Sequence, residues 1–587
     1  MLLHICYFII AKICCMDENG VERTKGITDT KELNITVIQT TDIHGWINGH
    51  IRDDRYPANL GDLYDFVTAM KKKQSSNHIV LLFDTGDVSE GTGLSDAVDV
   101  HGEFIMEMFK ELPYDGLVIG NHELGNNNQI DHIADDFSPF WKGKYICMNA
   151  EHVNKNKKLA DDFITIDLPE NEGKILVFGF IYGMNNAADH VKVSPVKDVL
   201  TDERFEKAFQ TENVRLIINL CHISTDSKEV DEIKKFIQQR KPDVPQLFLT
   251  GHSHMLRQRD LEKKPSNAKV VESDAWALES GAYGRQIGLI NFALGKQLSA
   301  EGAAEKLSFS YEWLNMIGKD FERASGLSAG ELKTKKGEEI KRRIKAKYDD
   351  LGLSKVVGCV PEFYSRSLKP KDGKKSLGML MVDEAFPYAA VEMKCLNTVQ
   401  EMIHIVSSSS VRSDIYEGEM YLDDLYSVDP FNNAISAIEN VRGGDIEKMK
   451  NTTLDGSKFS DKYFITSQKL NENDKYTLTV TTYDAKRIID RLKLVSDETH
   501  TSINTKCLFR DTFQTFIEKS WKCGNVNPPH SNPPKTNPGA IVGIVLGCIG
   551  AVVITVTIVV FIAFRIRKKK QDTAKSYTFL ADKEGYY

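Results

Sequence analysis

Five times along the first half of the chain a short apolar run stops abruptly at polar residues. Ile35 to Thr40 alternates apolar and polar positions and enters Thr41-Asp42-Ile43-His44-Gly45, while Ile79 to Phe83 is continuously apolar and ends in Asp84-Thr85-Gly86-Asp87. Leu117-Val118-Ile119 leads into Gly120-Asn121-His122-Glu123, Leu216 to Leu220 into Cys221-His222, and Leu247-Phe248-Leu249 into Gly251-His252-Ser253-His254. Short apolar runs bounded by glycine and polar residues predict buried strands, and the alternating one a half-buried strand.

The residues at these strand ends carry metal-binding chemistry. Asp42 and His44, two apart beyond a strand, point the same way and offer one ion an oxygen and a nitrogen. Gly86 permits a tight bend, so Asp87 projects from its strand end, and its two carboxylate oxygens can bridge two cations. Carboxylate, amide oxygen and imidazole together suit hard and borderline divalent ions. Asp42, His44, Asp87 and His254 are expected to hold one ion, and Asp87, Asn121, His222 and His252 a second.

Composition sets the scale. With 587 residues, 41% hydrophobic, and a net charge of −8, the chain suits two or more globular domains and argues against a nucleic-acid polymer as partner. Outside the apolar ends the cysteines are Cys147, Cys221, Cys359, Cys395, Cys507 and Cys523, with no C-x-x-C pair. Residues 1–15 read as a signal peptide, although Lys12 interrupts the apolar run. Gly539 to Phe564 carries no charge and is long enough to cross a bilayer, and Arg565, Arg567 and Lys568 to Lys570 follow it. This predicts a single-pass type I membrane protein with its bulk at the cell surface or on the lumenal side of an endomembrane. The prediction includes a proline-rich stalk over 524–538, a transmembrane helix over 539–564 and a cytoplasmic tail over 565–587. Gly539, Gly543 and Gly547 would let two such helices pair as a homodimer. Asn34 and Asn451 lie in N-x-T sequons open to glycosylation on that side.

Taken in order, Asp42-x-His44, Gly86-Asp87, Gly120-Asn121-His122-Glu123, the lone His222 and Gly251-His252-x-His254 resemble the signature of the calcineurin-like metallophosphoesterases. The resemblance implies an α/β fold over residues 30–300, a two-sheet sandwich flanked by helices with a binuclear site at one edge. The cofactors would be two divalent ions, zinc, manganese or similar. Glu279 to Gly288 is similar to the segment that closes this domain in the 5′-nucleotidase branch. Residues 301–352, dense in charge, read as a solvated helical connector.

Residues 353–523 resemble that branch's smaller α+β C-terminal domain. The resemblance rests on Leu377 to Asp383, Val411-Arg412-Ser413-Asp414-Ile415, Gly418-Glu419 and Asp429-Pro430-Phe431-Asn432-Asn433. It implies that Arg412 helps hold the substrate, that Phe431 stacks on a base and that Asn433 contacts it, with Tyr483 as the second stacking aromatic. The chain departs from the pattern at Ser407 to Ser410, at Phe386 and around Tyr483, where the expected glycines are missing.

The catalytic candidates are His122 and Asn121. By resemblance His122 faces the phosphate, and Glu123 orients a ligand histidine. An Asp commonly follows two residues after that Glu and pairs with the histidine. Here the position is Gly125, which leaves His122 without its partner unless a carboxylate comes from elsewhere. The four cysteines of the second half are expected to pair, with Cys359–Cys395 and Cys507–Cys523 as one arrangement among those the sequence leaves open. The reading is a membrane-anchored ecto-phosphohydrolase of small phosphoesters, foremost 5′-nucleotides. Alternatives are nucleotide sugars, cyclic nucleotides or other phosphomonoesters as substrates, or a surface adhesion or receptor protein with a little-active shell. The complete set of metal ligands speaks against the last.

Overall fold

The computed structural model describes residues 33–261, 271–273, 275–294, 307–396 and 400–523. The expected signal peptide, stalk, membrane span, glycine dimer face and tail lie outside them. The described residues up to Lys522 form one compact unit.

The five predicted strands form, four of them longer than their apolar runs and the third leaving out Ile119. Thirteen strands make up the two large sheets. They are β1 (Leu33–Thr40), β2 (His78–Asp84), β3 (Gly116–Val118), β4 (Tyr145–Ile146), β5 (Phe163–Asp167), β6 (Lys174–Ile181), β7 (Val214–His222), β8 (Gln246–Thr250), β9 (Leu256–Asp260), β10 (Val271–Ser273), β11 (Ala275–Ser280), β12 (Gln286–Leu294) and β13 (Leu307–Asn315). One sheet runs β10-β13-β12-β1-β2-β3-β4 and the other β9-β11-β8-β7-β6-β5. β1 to β4 are parallel to one another, as are β6, β7, β8 and β11, so their carboxyl ends open along shared edges.

The period of two explains the layering. In β7, Leu216, Ile218 and Leu220 join Val37, Leu82 and Val118 in the cluster between the sheets. Ile217 and Cys221 turn the other way, onto Val230, Ile233 and Ile237 of the helix Lys228–Arg240. Buried Gln39 of β1 crosses the layer, donating to Thr250 O of β8 (2.8 Å) and Thr85 Oγ1 (3.1 Å) and accepting from Ser280 Oγ of β11 (2.8 Å).

The stretch expected as a solvated connector is different. It begins with β13, paired antiparallel to β12, and continues through helices packed on the first half. In the helix Lys335–Asp350, Ile340, Ile344 and Tyr348 share one face and are buried against the same core, and Phe321 stacks on Phe66 at 4.6 Å. Spacing of four residues makes a buried stripe inside a charged helix.

Beyond residue 353 a smaller half is built on a five-stranded mixed sheet of β14 (Met402–Ser407), β15 (Ala434–Arg442), β16 (Tyr463–Ile465), β17 (Lys475–Thr481) and β18 (Ser502–Leu508), ordered β16-β14-β17-β15-β18. The expected cysteine pairing is corrected. Cys395 bonds Cys507, with Cα atoms 5.3 Å apart across a sequence separation of 112, because strand β18 returns beside the end of the helix Phe386–Glu392. Cys359 and Cys523 are also disulfide-bonded. Asn34 and Asn451 are both exposed. Among the described residues no helix is long and apolar enough to cross a membrane.

Ile344→Ala should cost about 2–5 kcal/mol, the usual range for truncating a fully buried aliphatic side chain. Urea unfolding followed by tryptophan fluorescence checks it. An unchanged midpoint would return this helix to the role of a solvated connector.

Candidate metal centre

The parallel register places the ligand loops side by side. Thr40 pairs with Asp84 across β1 and β2, so Asp42 and Asp87 emerge together, and Thr250 pairs with Cys221, which sets His252 beside His222. The loops are then cross-linked by main chain: Asp42 N–H donates to Gly86 O (2.9 Å), His44 N–H to Asp87 O (2.9 Å) and Tyr283 N–H to Asp42 O (2.7 Å). Asp42, His44, Asp87, Glu90, His252, His254 and Tyr283 all hold positive φ, from 48° to 76°. For residues with a Cβ this left-handed region costs on the order of 1–3 kcal/mol each, and it is a habit of functional turns. Two glycines make the approach possible. A Cβ on Gly86 would lie 2.8 Å from Gly120 Cα, and one on Gly120 would lie 2.1 Å from Asp87 N.

The result is two groups of ligand atoms sharing Asp87. Asp42, His44, Asp87 and His254 converge within 4.8 Å of one another, and so do Asp87, His222 and His252. Asn121 joins the second group, its Oδ1 lying 3.1 Å from His222 Nε2. The fold thus brings together the seven residues singled out at the strand ends.

Tautomers decide what such a cluster can hold. His44 Nδ1 donates to Glu90 O (2.9 Å) and His222 Nδ1 to Thr85 O (2.7 Å), so both rings turn Nε2 inward. His44 Nε2 faces His254 Nε2 at 3.1 Å, and His222 Nε2 faces Asp87 Oδ2 at 3.1 Å. Asp87 Oδ2 is buried and is a poorly satisfied acceptor. Imidazole nitrogens and a buried carboxylate oxygen turned towards one another in a dry site call for positive charge among them. The donor set therefore fits two divalent ions.

The electrostatics agree. Burial raises the Asp87 carboxyl, but His222 and His122 outweigh it and hold the group well below the carboxylate range. Burial, with help from His122, keeps His44 neutral, and burial and His222 bring His252 down to about 4. Against its own burial, His222 is lifted to about 10 by Asp87, a pull on positive charge that a metal ion would satisfy.

A third Asp–His group, Asp131 with His152 and His190, is of another kind. His152 Nδ1 accepts from Asn154 N–H (3.0 Å), so its Nε2 carries the proton and donates to Asp131 (2.9 Å), and Lys157 Nζ also donates to that carboxylate (3.0 Å). It is a satisfied hydrogen-bond cluster with no inward lone pairs to spare.

One expectation about the histidine loop is corrected, and for His122 the alternative left open, a carboxylate from elsewhere in the chain, is the one found. Glu123 contacts no ligand histidine; its carboxylate accepts from the N–H groups of Asp87 (2.9 Å), Gly120 (2.9 Å) and Ser89 (3.1 Å) and from Ser89 Oγ (2.8 Å), fixing the Asp87 turn. His122 does have a carboxylate partner. Glu90, on the loop after Asp87, binds His122 Nδ1 with its side chain while its carbonyl accepts from His44 Nδ1. Against burial, Asp87 and Glu90 raise His122 to about 9. Asp84, the other acid of the strand-end turn, is spent on structure: its carboxyl accepts from Thr40 Oγ1 (2.6 Å) and Gly86 N–H (2.9 Å), and burial lifts it to about 8.

Beside the ligands opens a cavity of about 720 Å³ walled by both halves of the chain, with His252, His254 and Tyr283 on one side and Ser407 to Ser409, Arg412 and Tyr483 on the other. Arg366, Lys462 and Arg487 add positive charge to its lining. Tyr483 is 54% exposed there. Phe431 does not line it; its ring stacks on His122 at 5.9 Å and lies 5.0 Å beneath Arg412. Asn433 is at the entry to β15, where its carbonyl accepts from Phe509 N–H, and is not part of the wall either. Sequence reasoning missed Tyr283 and Tyr182 as site residues. Tyr182 stacks on His252 at 4.3 Å, and nothing local in the sequence marks it.

A two-sheet sandwich with this shared Asp/His/Asn cluster at its edge defines the class: a metal-dependent phosphoester hydrolase. Residues 35–256 match the calcineurin-like phosphoesterase family and residues 363–511 the NAD nucleotidase C-terminal domain. The chain thus carries a calcineurin-like phosphoesterase domain followed by a nucleotidase-type C-terminal domain. It is 29% identical over 423 residues to an uncharacterized protein of Schizosaccharomyces pombe, covering 68% of each chain. It is 26% identical over 462 residues to a protein of Arthroderma benhamiae named "Secreted protein", covering 72% of this chain and 67% of that one. It shares its fold with a 5′-nucleotidase from Candida albicans, at a TM-score of 0.72 and 22% identity over 82% of this chain and 97% of that one. Calcineurin-like phosphoesterases use two divalent metals, in keeping with the two ligand groups.

The expected localisation is corrected by these findings. The reading as a single-pass type I membrane protein gains nothing from the described residues, which hold no crossing helix, and the Arthroderma relative is named as secreted.

Asp87→Asn should lower bound metal and abolish turnover together, because one residue serves both ligand groups. Elemental analysis of the purified, folded variant checks this; full metal occupancy with near-normal turnover would sink the shared-ligand assignment.

Proposed function

We propose that the chain hydrolyses small nucleotide phosphoesters. One observation carries the reading: Arg412 Nη2 and His122 Nε2 meet 3.5 Å apart beside the ligand cluster. With Nδ1 committed to Glu90, a protonated His122 has Nε2–H as a second donor, so two positive donors face the same point. Such a point suits an anionic oxygen. The Nε of half-buried Arg412 is sealed from solvent and has no partner, which leaves further donor capacity.

Asp42, His44, Asp87 and His254 would hold one ion, and Asp87, Asn121, His222 and His252 the other. Bound there, two divalent ions supply Lewis-acid chemistry that polarises the phosphoryl group and activates water. The chain's own residues do the rest. Arg412 draws the phosphate against the cluster, and the remaining cationic wall favours a multiply charged substrate. His122, kept protonated by Glu90, neutralises developing charge and gives its Nε2 proton to the leaving oxygen. Tyr483, exposed in the wall, offers a face to a base. Phe431, by contrast, supports His122 and Arg412 from behind. The secreted relative and the disulfides support export to an oxidising compartment, where Asn34 and Asn451 are accessible to glycosylation.

Two outcomes test this reading. Tyr483→Ala should weaken binding of adenosine 5′-monophosphate by about 1–3 kcal/mol, the scale of base stacking, and leave p-nitrophenyl phosphate nearly unchanged. Phe431→Ala should impair both substrates alike. Comparison of KM values decides, and the reverse pattern would return Phe431 to the role of base platform.

The second concerns pH. A carboxylate partner raises an imidazole's pKa, so activity that needs protonated His122 persists to higher pH with Glu90 than without it. Glu90→Gln should move the alkaline limb of the pH–rate profile to lower pH, and His122→Ala should remove it. Gly125→Asp should change little, because Glu90 already occupies Nδ1. A limb that ignores Glu90 but follows Gly125→Asp would refute the pairing.

A further inference from the structure

Tyr283 touches the first ligand group and, across the cavity, Arg412, yet no strand-end pattern singles it out. It is buried, 5% exposed, in a left-handed turn between Gly281 and Gly284, with φ at 63°. Its N–H donates to the Asp42 carbonyl (2.7 Å), which ties it to the first ligand loop, and its own carbonyl accepts from His50 Nε2 (2.7 Å). Its ring packs on His44 at 5.3 Å and His254 at 5.0 Å. Its hydroxyl accepts from Arg412 Nη1 at 3.1 Å, across the cavity from the other half of the chain.

We propose that Tyr283 is a positioning residue that fixes Arg412, and through it the substrate phosphate, relative to the two ligand groups. Arg412 has no carboxylate partner among the described contacts: Nη1 goes to the phenol, Nη2 toward His122, and Nε is orphaned. An arginine left without a carboxylate keeps its charge available to an anion, but it needs a fixed acceptor to hold its plane. The Tyr283 hydroxyl supplies that acceptor. The same residue's main chain and ring hold Asp42, His44 and His254, so a single side chain sets the distance between the metal ligands and the phosphate clamp. The proposal rests on Arg412 contacting the substrate, as set out above.

The test compares Tyr283→Phe, Arg412→Ala and the double variant in the full chain, with adenosine 5′-monophosphate as substrate and metal content measured on each. Tyr283→Phe keeps the ring packing and removes only the hydroxyl. It should raise KM about tenfold or more, the scale of a hydrogen bond to a charged group, with kcat much less affected and two metals retained. The double variant should be no worse than Arg412→Ala alone, since both remove one interaction. If Arg412→Ala impairs binding but Tyr283→Phe is wild type, or the two effects multiply, the role of Tyr283 is overturned while the functional reading stands. Loss of metal in Tyr283→Phe would also overturn it, by making the hydroxyl part of the metal scaffold. If Arg412→Ala itself changes nothing, the reading of Arg412 fails and the role drawn from it fails with it.

Discussion

A carboxylate oxygen of Asp87, sealed from water and poorly satisfied as an acceptor, is the constraint around which the chain is arranged. Burying such a charge is prohibitive unless positive charge comes to it. The surrounding histidines are turned to bring that charge in. Backbone carbonyls of Glu90 and Thr85 accept from Nδ1 of His44 and His222, so Nε2 of each ring faces inward. Glu123 gathers the amides of the Asp87 turn and holds the carboxylate where it is. Left-handed turns at Asp42, His44, Asp87 and His252 then persist because the loops cross-link one another. Local cost is accepted throughout for the sake of one electronegative hollow.

Residues that announce themselves by position are legible in the sequence alone. Asp42, His44, Asp87, Asn121, His222, His252 and His254 each follow an apolar run that could only be a strand, and each brings its own donor atom. Residues that act through space are not legible in this way. Glu90 follows Asp87 by three positions and carries no pattern, yet it stands where Gly125 suggests a gap. Tyr283 lies in a segment whose glycines stand out and whose tyrosine does not. In the helix over 335–350, Ile340, Ile344 and Tyr348 are a visible stripe, masked by the dense charge around them. Phe431 and Asn433 illustrate the opposite limit, since order along a motif does not say which face of a ring meets the cavity.

The cavity belongs to neither half alone. The first half contributes His252, His254 and Tyr283, and the second Arg412, Tyr483 and the serine turn that replaces the glycines expected there. Division of labour of this kind lets the phosphate chemistry stay constant while the second half varies the recognition surface. The departures at Ser407 to Ser409 and around Tyr483 all fall on that variable side.

Gln39 has a consequence for how the molecule comes to exist. Its amide spans the sandwich, tying β1 to Thr250 of β8 and Ser280 of β11, and the ligands it stands beneath come from both sheets. Neither sheet by itself completes a ligand group: one supplies Asp42, His44, Asp87 and Asn121, the other His222, His252 and His254. The hollow is therefore whole only where the two layers have docked, which ties full metal affinity to the finished sandwich.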